Sequence, residues 1–155
     1  MLAEILIFNT KKETIKGLIS QLSEEEVHKV IDKVNNSVYW IIGHLTGARL
    51  SMLKLLGIKY DPGIDLHYFK KGSLHTTKGP EFTILMDQFE KAGDLLYNAL
   101  TKADPEWLKK PMKYIVNENM ATVADNIQFL IFHEDYHIGQ IALIIRMMGK
   151  KGIGV

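Results

Sequence analysis

The sequence contains no cysteine, which excludes disulfide bonds, thiolate metal ligands and a nucleophilic thiol of the protein itself. Arginine is scarce: only Arg49 and Arg146 occur among 19 basic residues, which nearly balance 18 acidic residues to a net charge of +1. Electrostatic or base-specific binding of nucleic acid is therefore not expected. No apolar run approaches the length of a membrane span, and the amino terminus lacks the basic segment of a secretory signal. We expect a cytoplasmic protein with no nucleic-acid partner and no membrane partner.

The composition is that of an ordinary globular protein. Of the 155 residues, 46% are hydrophobic and 24% are charged, which excludes a disordered chain. A chain of this length fits one hydrophobic core, so residues 1–155 are predicted to form a single domain.

Apolar residues recur at helical spacing in four long segments, separated by turn and capping signals. The predicted long helices cover residues 3–22, residues 37–57 after caps offered by Asn35, Asn36 or Ser37, residues 81–100, and residues 122–148 beginning at Thr122. Short helical turns are expected after Ser23 and Asp104. With no convincing strand, this pattern predicts an all-α four-helix bundle.

Two histidines four residues apart, His133 and His137, lie in the last helix. This spacing places both imidazoles on one helical face, where they can bind a single metal ion. The same face carries Leu130, Ile141 and Ile144, so it is predicted to turn inward. The alternative is a pair of core histidines that are hydrogen-bonded to their neighbours.

The segment from His133 to His137 also matches the H-E-x-x-H pattern of zinc proteases. Those enzymes need a further ligand downstream, but residues 138–155 contain no His, Asp, Glu or Cys. A standard zinc protease is therefore excluded, and a third ligand must come from upstream. Glu134 is a candidate general base beside a ligand. Its direction differs from that of His133 by about 100°, so packing against another helix or against solvent is the alternative.

His44 is the candidate for the third ligand, because it lies on the apolar face of the second helix, one turn after Trp40. The other histidines, His28, His67 and His75, lie in charged or loop segments and are expected to be solvated. His44 lies 13 residues before Gly57, and the pair in the last helix lies 11 and 15 residues after Thr122. These depths match if the second and fourth helices run antiparallel. Gln140, one turn beyond the pair, could orient a ligand.

The connection formed by residues 58–79 is long for a small domain and holds several glycines and aromatic residues. Such segments are usually functional or contain short structure of their own. A long connection can return along the bundle, which would let the third helix run in the same direction as the second. We expect this segment to border the mouth of the metal site.

These residues resemble the DinB-like (YfiT-like) family of metalloenzymes over nearly the whole chain. Ser37 begins the second helix with His44 seven residues later, and residues 133–140 read H-E-D-Y-H-I-G-Q. The resemblance implies a four-helix bundle with crossed connectivity. It also implies a site in which His44, His133 and His137 bind one divalent metal ion per chain, nickel or zinc. Homodimers are frequent in that family. Many relatives have Arg where Ile138 stands here, so any role of that arginine is absent or displaced.

Activities known in the family include thiol S-transfer, thiol-dependent isomerisation and proposed metal-dependent hydrolysis. By this resemblance the chain is predicted to be a small-molecule thiol S-transferase or hydrolase, with a low-molecular-weight thiol as a cosubstrate in the first case. A non-catalytic, dimer-forming metal-binding protein of the stress response is the alternative. A third hypothesis is a protein without metal, in which the histidines serve only the core.

Overall fold

The computed structural model describes residues 2–31, 36–73, 78–112 and 118–153. Across those residues the regular elements are six α-helices and one 3-10 turn, with no strand and only an isolated bridge between Pro111 and Thr122. The helices are α1 (Leu2–Ile19), α2 (Glu24–His28), α3 (Val38–Leu55), α4 (Phe82–Thr101), α5 (Pro105–Leu108) and α6 (Val123–Met147), and the 3-10 turn is His67–Phe69. None of these helices is both long and apolar enough to cross a membrane. The all-α prediction is confirmed, and the architecture is consistent with a helical bundle.

Helices α2, α3, α5 and α6 begin where the capping signals predicted. Ser37 Oγ accepts a hydrogen bond of 3.2 Å from the backbone N–H of Trp40 at the start of α3. A reciprocal capping box between Thr122 and Asp125 begins α6, and Ser23 begins α2 in the same way. Each cap satisfies backbone donors that a helix leaves unpaired at its amino end. These local bonds fix the phase in which α3 and α6 present their histidines.

The core consists of two hydrophobic clusters. The first joins α1, α3, α4 and α6 through residues such as Ile15, the 38–45 segment, Phe89 and the 138–145 segment. The second joins the same helices through Phe8, the 48–55 segment, the 92–100 segment and the 123–130 segment. The first half of α3 therefore shares a cluster with the last part of α6, and the second half of α3 with the first part of α6. His133 and Glu134 lie between the two clusters along α6, and His44 lies near the end of the first cluster along α3.

The chain after α3 folds back over the side of that helix. Tyr39 donates a hydrogen bond of 2.8 Å to the carbonyl of Pro80, and Trp40 Nε1 donates one of 2.9 Å to Ser73 Oγ. The ring of Phe69 lies so close to Gly43 that a Cβ there would stand 2.3 Å from a ring carbon. Glycine is therefore required at position 43 if the 3-10 turn is to approach α3 this closely.

Candidate metal centre

The three predicted ligands meet between α3 and α6. His133 Nε2 lies 3.2 Å from His44 Nε2 and 3.1 Å from His137 Nε2, and one ring nitrogen from each residue lies within 4.8 Å of the others. Ligands about 2.0–2.1 Å from a tetrahedral ion stand about 3.3 Å apart. The spacing of the nitrogens therefore fits one shared ion, which is the arrangement that the helical spacing predicted. That a metal ion binds here remains a prediction, and so does the identity of the metal.

Two of the rings are oriented by hydrogen bonds on their far side. His44 Nδ1 donates to the backbone carbonyl of Phe69 over 2.8 Å, and His137 Nδ1 donates to Gln140 Oε1 over 2.7 Å. The amide of Gln140 is itself oriented, because its Nε2 donates to the hydroxyl of Tyr136 over 3.0 Å. A neutral imidazole that donates through Nδ1 carries a lone pair on Nε2. Both Nε2 atoms that face His133 are therefore acceptors, as metal ligands must be.

Hydrogen bonds within the cluster cannot satisfy both ring nitrogens of His133. Its Nδ1 is buried and has no partner within the described part of the chain. Its Nε2 faces the lone pairs of two other rings, and a single N–H can pair well with only one of them. Buried polar groups of folded proteins are nearly always paired, so this exception needs an explanation. A cation that accepts all three Nε2 lone pairs would resolve the conflict at Nε2, and the donor set is therefore suited to a metal ion.

Burial keeps the three imidazoles neutral. Removal from water is the largest cause that lowers the pKa of His137 to about 4, and the positive charges that His133 and His44 could carry are smaller causes in the same direction. Burial is also the main cause that lowers the pKa values of His44 and His133. Protonation of any of the three imidazoles would cost free energy, because water that could solvate the charge is largely excluded. At neutral pH the rings are therefore in the form that binds metal.

A cavity of about 960 Å³ opens beside the three nitrogens. Its walls come from α3, from α6 and from the connection between α3 and α4, of which residues 65–67 and 69–72 take part. Trp40 and Phe129 provide aromatic surface on either side of the histidines. This position agrees with the prediction that the 58–79 segment borders the site. Residues 74–77, and with them the expectation for His75, lie outside the described residues.

Glu134 points away from this cavity. Its two carboxylate oxygens accept hydrogen bonds of 2.5 Å and 3.2 Å from Arg49, and both side chains are 0% exposed. Arg49 also donates to the carbonyl of Phe89 over 2.8 Å and lies over that ring at 3.5 Å. A Cβ at Gly93 would stand 2.3 Å from the guanidinium, so glycine leaves the space. For Glu134, packing against another helix is thus favoured over a role as general base.

The remaining described histidines lie apart from the cluster. His67 is exposed and bonded to the carboxylate of Asp65, as expected of a solvated side chain. His28 differs from the expectation, because its ring lies against Tyr39 with a centroid distance of 4.3 Å and its Nδ1 is buried. The capping box that begins α2 turns this charged segment back onto the core. The charged residues around His28 in the sequence predicted a solvated ring and did not indicate this contact with the core.

Two parts of the site were not found from the sequence. Arg49 gave a usable signal, since a lone arginine between Ala48 and Met52 in an apolar helix requires a buried acidic partner. The Phe69 carbonyl gave none, because any residue of the connection offers the same backbone acceptor. It was selected by the close approach of the 3-10 turn to α3.

Comparison with known protein families gives one match over nearly the full length. A family model described as a protein of unknown function, DUF1572, matches residues 2–153. This family is of the DinB-like type that the histidine pattern indicated. No curated protein matches the chain.

Proposed function

The chain belongs to the DUF1572 family, and we propose that it is a divalent-metal-dependent enzyme that acts on a small molecule. The observation that carries the proposal is the convergence of three neutral imidazole nitrogens beside a large cavity. Three neutral ligands leave coordination positions open and leave the positive charge of an ion uncompensated. Sites of that kind are typical of catalysis, whereas structural zinc sites are closed by four protein ligands.

Nickel or zinc is the proposed ion, held by His44, His133 and His137. An ion bound there would supply Lewis acidity, which suits the activation of a water or of a thiol. The chain itself would orient the ligands through the Phe69 carbonyl and Gln140. A thiol S-transferase or a hydrolase is therefore the proposed class. The transferase requires a low-molecular-weight thiol cosubstrate, because the protein has no cysteine of its own.

A non-catalytic metal-binding role in a stress response is the second candidate. It is favoured by one observation, the absence of a free carboxylate along the described cavity wall. Asp65 is the single acidic residue lining the cavity, and it is bonded to His67. Activity screening of metal-loaded protein with thiol cosubstrates, small esters and amides discriminates the two. Complete inactivity would favour the binding role.

The metal site is tested by elemental analysis after mild loading with nickel or zinc. Wild-type protein should retain one ion per chain. The metal content of His44→Ala should fall to a small fraction of that, because only the two ligands from α6 are left. Because the ion binds only the folded state, it should add about 2.7 kcal/mol to the free energy of unfolding of wild type at a free ion concentration a hundredfold above Kd. The melting temperature should rise accordingly.

His28→Ala is the control for metal content, since His28 is not among the residues lining the cavity. Its own effect on stability is not a control, because its ring packs on Tyr39. A wild type that takes up no metal, or a His44→Ala variant that binds as tightly, would contradict the three-histidine site.

We further propose that α1, α3, α4 and α6 form a four-helix bundle with crossed connectivity, in which α3 and α6 run antiparallel. Support comes from the two core clusters, which pair the 38–45 segment with the 138–145 segment and the 48–55 segment with the 123–130 segment. The contacts between α3 and both α4 and α6, and between α1 and the same two helices, support the bundle. That residues 1–155 form one domain, and that the protein is cytoplasmic, stay predictions.

A homodimer is proposed through the outer face of α6. Phe132, Tyr136, Leu143 and Met147 recur there at helical spacing and are 65%, 57%, 52% and 47% exposed. Large apolar side chains aligned on one helix are typical of a protein interface. Sedimentation velocity over a range of protein concentrations should show a dimer in wild type and a monomer in Leu143→Glu. A wild type that stays monomeric would contradict the proposal.

A further inference from the structure

We propose that the cavity beside the histidines binds small organic anions, and that Lys71 receives the anionic group while aromatic residues hold the apolar body. The proposal deepens the proposed function by naming its substrate class. Binding of the anion does not itself require the metal, so the two can fail separately.

The charges around the cavity favour an anion. Its lining residues include one carboxylate, Asp65, and two ammonium groups, Lys70 and Lys71. Asp65 is already occupied, since its oxygens accept from the backbone N–H and from the ring of His67. The nearby charge of Lys70 contributes to lowering the pKa of Asp65, after those hydrogen bonds. The lining therefore carries two ammonium groups against one carboxylate, a net charge of +1, and Lys70 is the lysine that lies near Asp65.

The other ammonium group belongs to Lys71. Within the described residues Lys71 has no carboxylate at ion-pair distance, whereas several other lysines on the surface do. It lines the same cavity as His133. The ammonium group of Lys71 and the three histidines therefore border the same space.

Aromatic side chains form part of the rest of the wall. The indole of Trp40 stacks on His44 with a centroid distance of 4.9 Å and an interplanar angle of 12°. Its N–H is already used by Ser73 and the residue is 4% exposed, so it offers a ligand only a small apolar surface. Phe129 lies beside His133 at 6.3 Å with an interplanar angle of 24°. Aromatic surface with convergent polar groups is typical of a small-molecule site. The ligand that fits is an aryl or alkyl body carrying one carboxylate or phosphate.

Isothermal titration with three matched probes tests this proposal. The probes are 3-phenylpropanoate, its neutral amide 3-phenylpropanamide, and phenyl phosphate, which separates a phosphate preference from a carboxylate preference. Wild type should bind at least one anion more tightly than the amide. Lys71→Gln should weaken that anion about fivefold, the range of an exposed charge pair, and should leave the amide unchanged.

Lys59→Gln is the matched control, because it removes an equal charge from the same connection at a residue that does not line the cavity. It should leave all three affinities unchanged. Titrations are made with zinc-loaded and with chelator-treated protein, and the dependence on Lys71 is expected in both. Elemental analysis of each sample reports separately on the proposed metal site.

Two results would overturn the anion site. One is equal binding of the anions and the amide by wild type. The other is an anion preference that Lys71→Gln reduces no more than Lys59→Gln, which would assign the preference to the ion or to the general field of the protein. Failure to take up zinc, with the Lys71 dependence intact, would instead contradict the proposed function and leave the anion site standing.

Discussion

Two polar groups connect α3 to α6 between the hydrophobic clusters, and they differ in how completely they are paired. The Arg49–Glu134 pair is closed: both carboxylate oxygens accept from Arg49, whose other contacts include the carbonyl and ring of Phe89 and the ring of Phe8. The histidine cluster is open: its Nε2 atoms converge on one point, and His133 Nδ1 has no partner among the described residues. The ion pair is inaccessible to solvent, whereas the histidine cluster borders a cavity.

This difference separates a structural polar group from a binding site. A buried charge is tolerated only when its partner compensates for the loss of water, and the guanidinium and carboxylate do this for each other. Convergent lone pairs repel one another and gain only when a cation enters between them. Burial alone therefore does not distinguish a functional residue from a structural one. The distinction lies in which groups are already satisfied within the protein.

The largest expected effect is on the closed pair. Glu134→Gln removes one charge of the pair and leaves the guanidinium of Arg49 buried without compensation. The free energy of unfolding should fall by about 3–5 kcal/mol, the usual cost of breaking a buried pair on one side. Urea unfolding of the metal-free protein measures this directly.

Asp87→Asn is the control for that change, since it breaks an exposed ion pair with Lys91 of the same chemical kind. Its effect should stay within about 0.5 kcal/mol. The double variant Arg49→Met, Glu134→Leu should recover much of the lost stability, because no unpaired charge remains. If Glu134→Gln were no more destabilising than Asp87→Asn, the pair would not be a structural element of the core.

A smaller effect, on metal affinity rather than folding, is expected at the open cluster. Gln140→Leu removes the acceptor that holds His137 Nδ1–H, so the ring is no longer fixed with its Nε2 toward the centre. Loss of such a partner typically weakens metal binding by about 10- to 100-fold. Competition with a chelating indicator measures the zinc affinity.

Gln140→Glu is the matched variant, because its carboxylate can still accept from His137 and should preserve the affinity. The metal-free stability of both variants should stay near that of wild type, since Gln140 is only half-buried. Equal zinc affinity of Gln140→Leu and wild type would show that the ring is oriented by packing alone. Orientation by a hydrogen-bond partner would then not distinguish the histidine cluster from the buried Arg49–Glu134 pair.

Much of this protein follows from short-range patterns. The caps at Ser37 and Thr122 determine where α3 and α6 begin, because their hydrogen bonds span only three residues. The four-residue spacing of His133 and His137 puts both on one helical face for the same local reason. The matched depth of His44 could also be read from chain length, since the rise per residue of a helix is constant. The caps and the histidine pair were predicted because their geometry is set within one helix, whereas the matched depth of His44 also assumed that two helices run antiparallel.

The partners of those residues were decided only by the tertiary structure. His44 is oriented by a carbonyl 25 residues away, and Glu134 is neutralised by an arginine 85 residues away. Nothing in the local sequence distinguishes the Phe69 carbonyl from its neighbours or assigns Glu134 to a buried pair rather than to catalysis. Both depend on how closely separate segments approach, as Gly43 allows the 3-10 turn to approach α3 and Gly93 allows Arg49 to enter the core. Such distances are fixed by side-chain packing between segments, because an interior this dense admits few alternative arrangements.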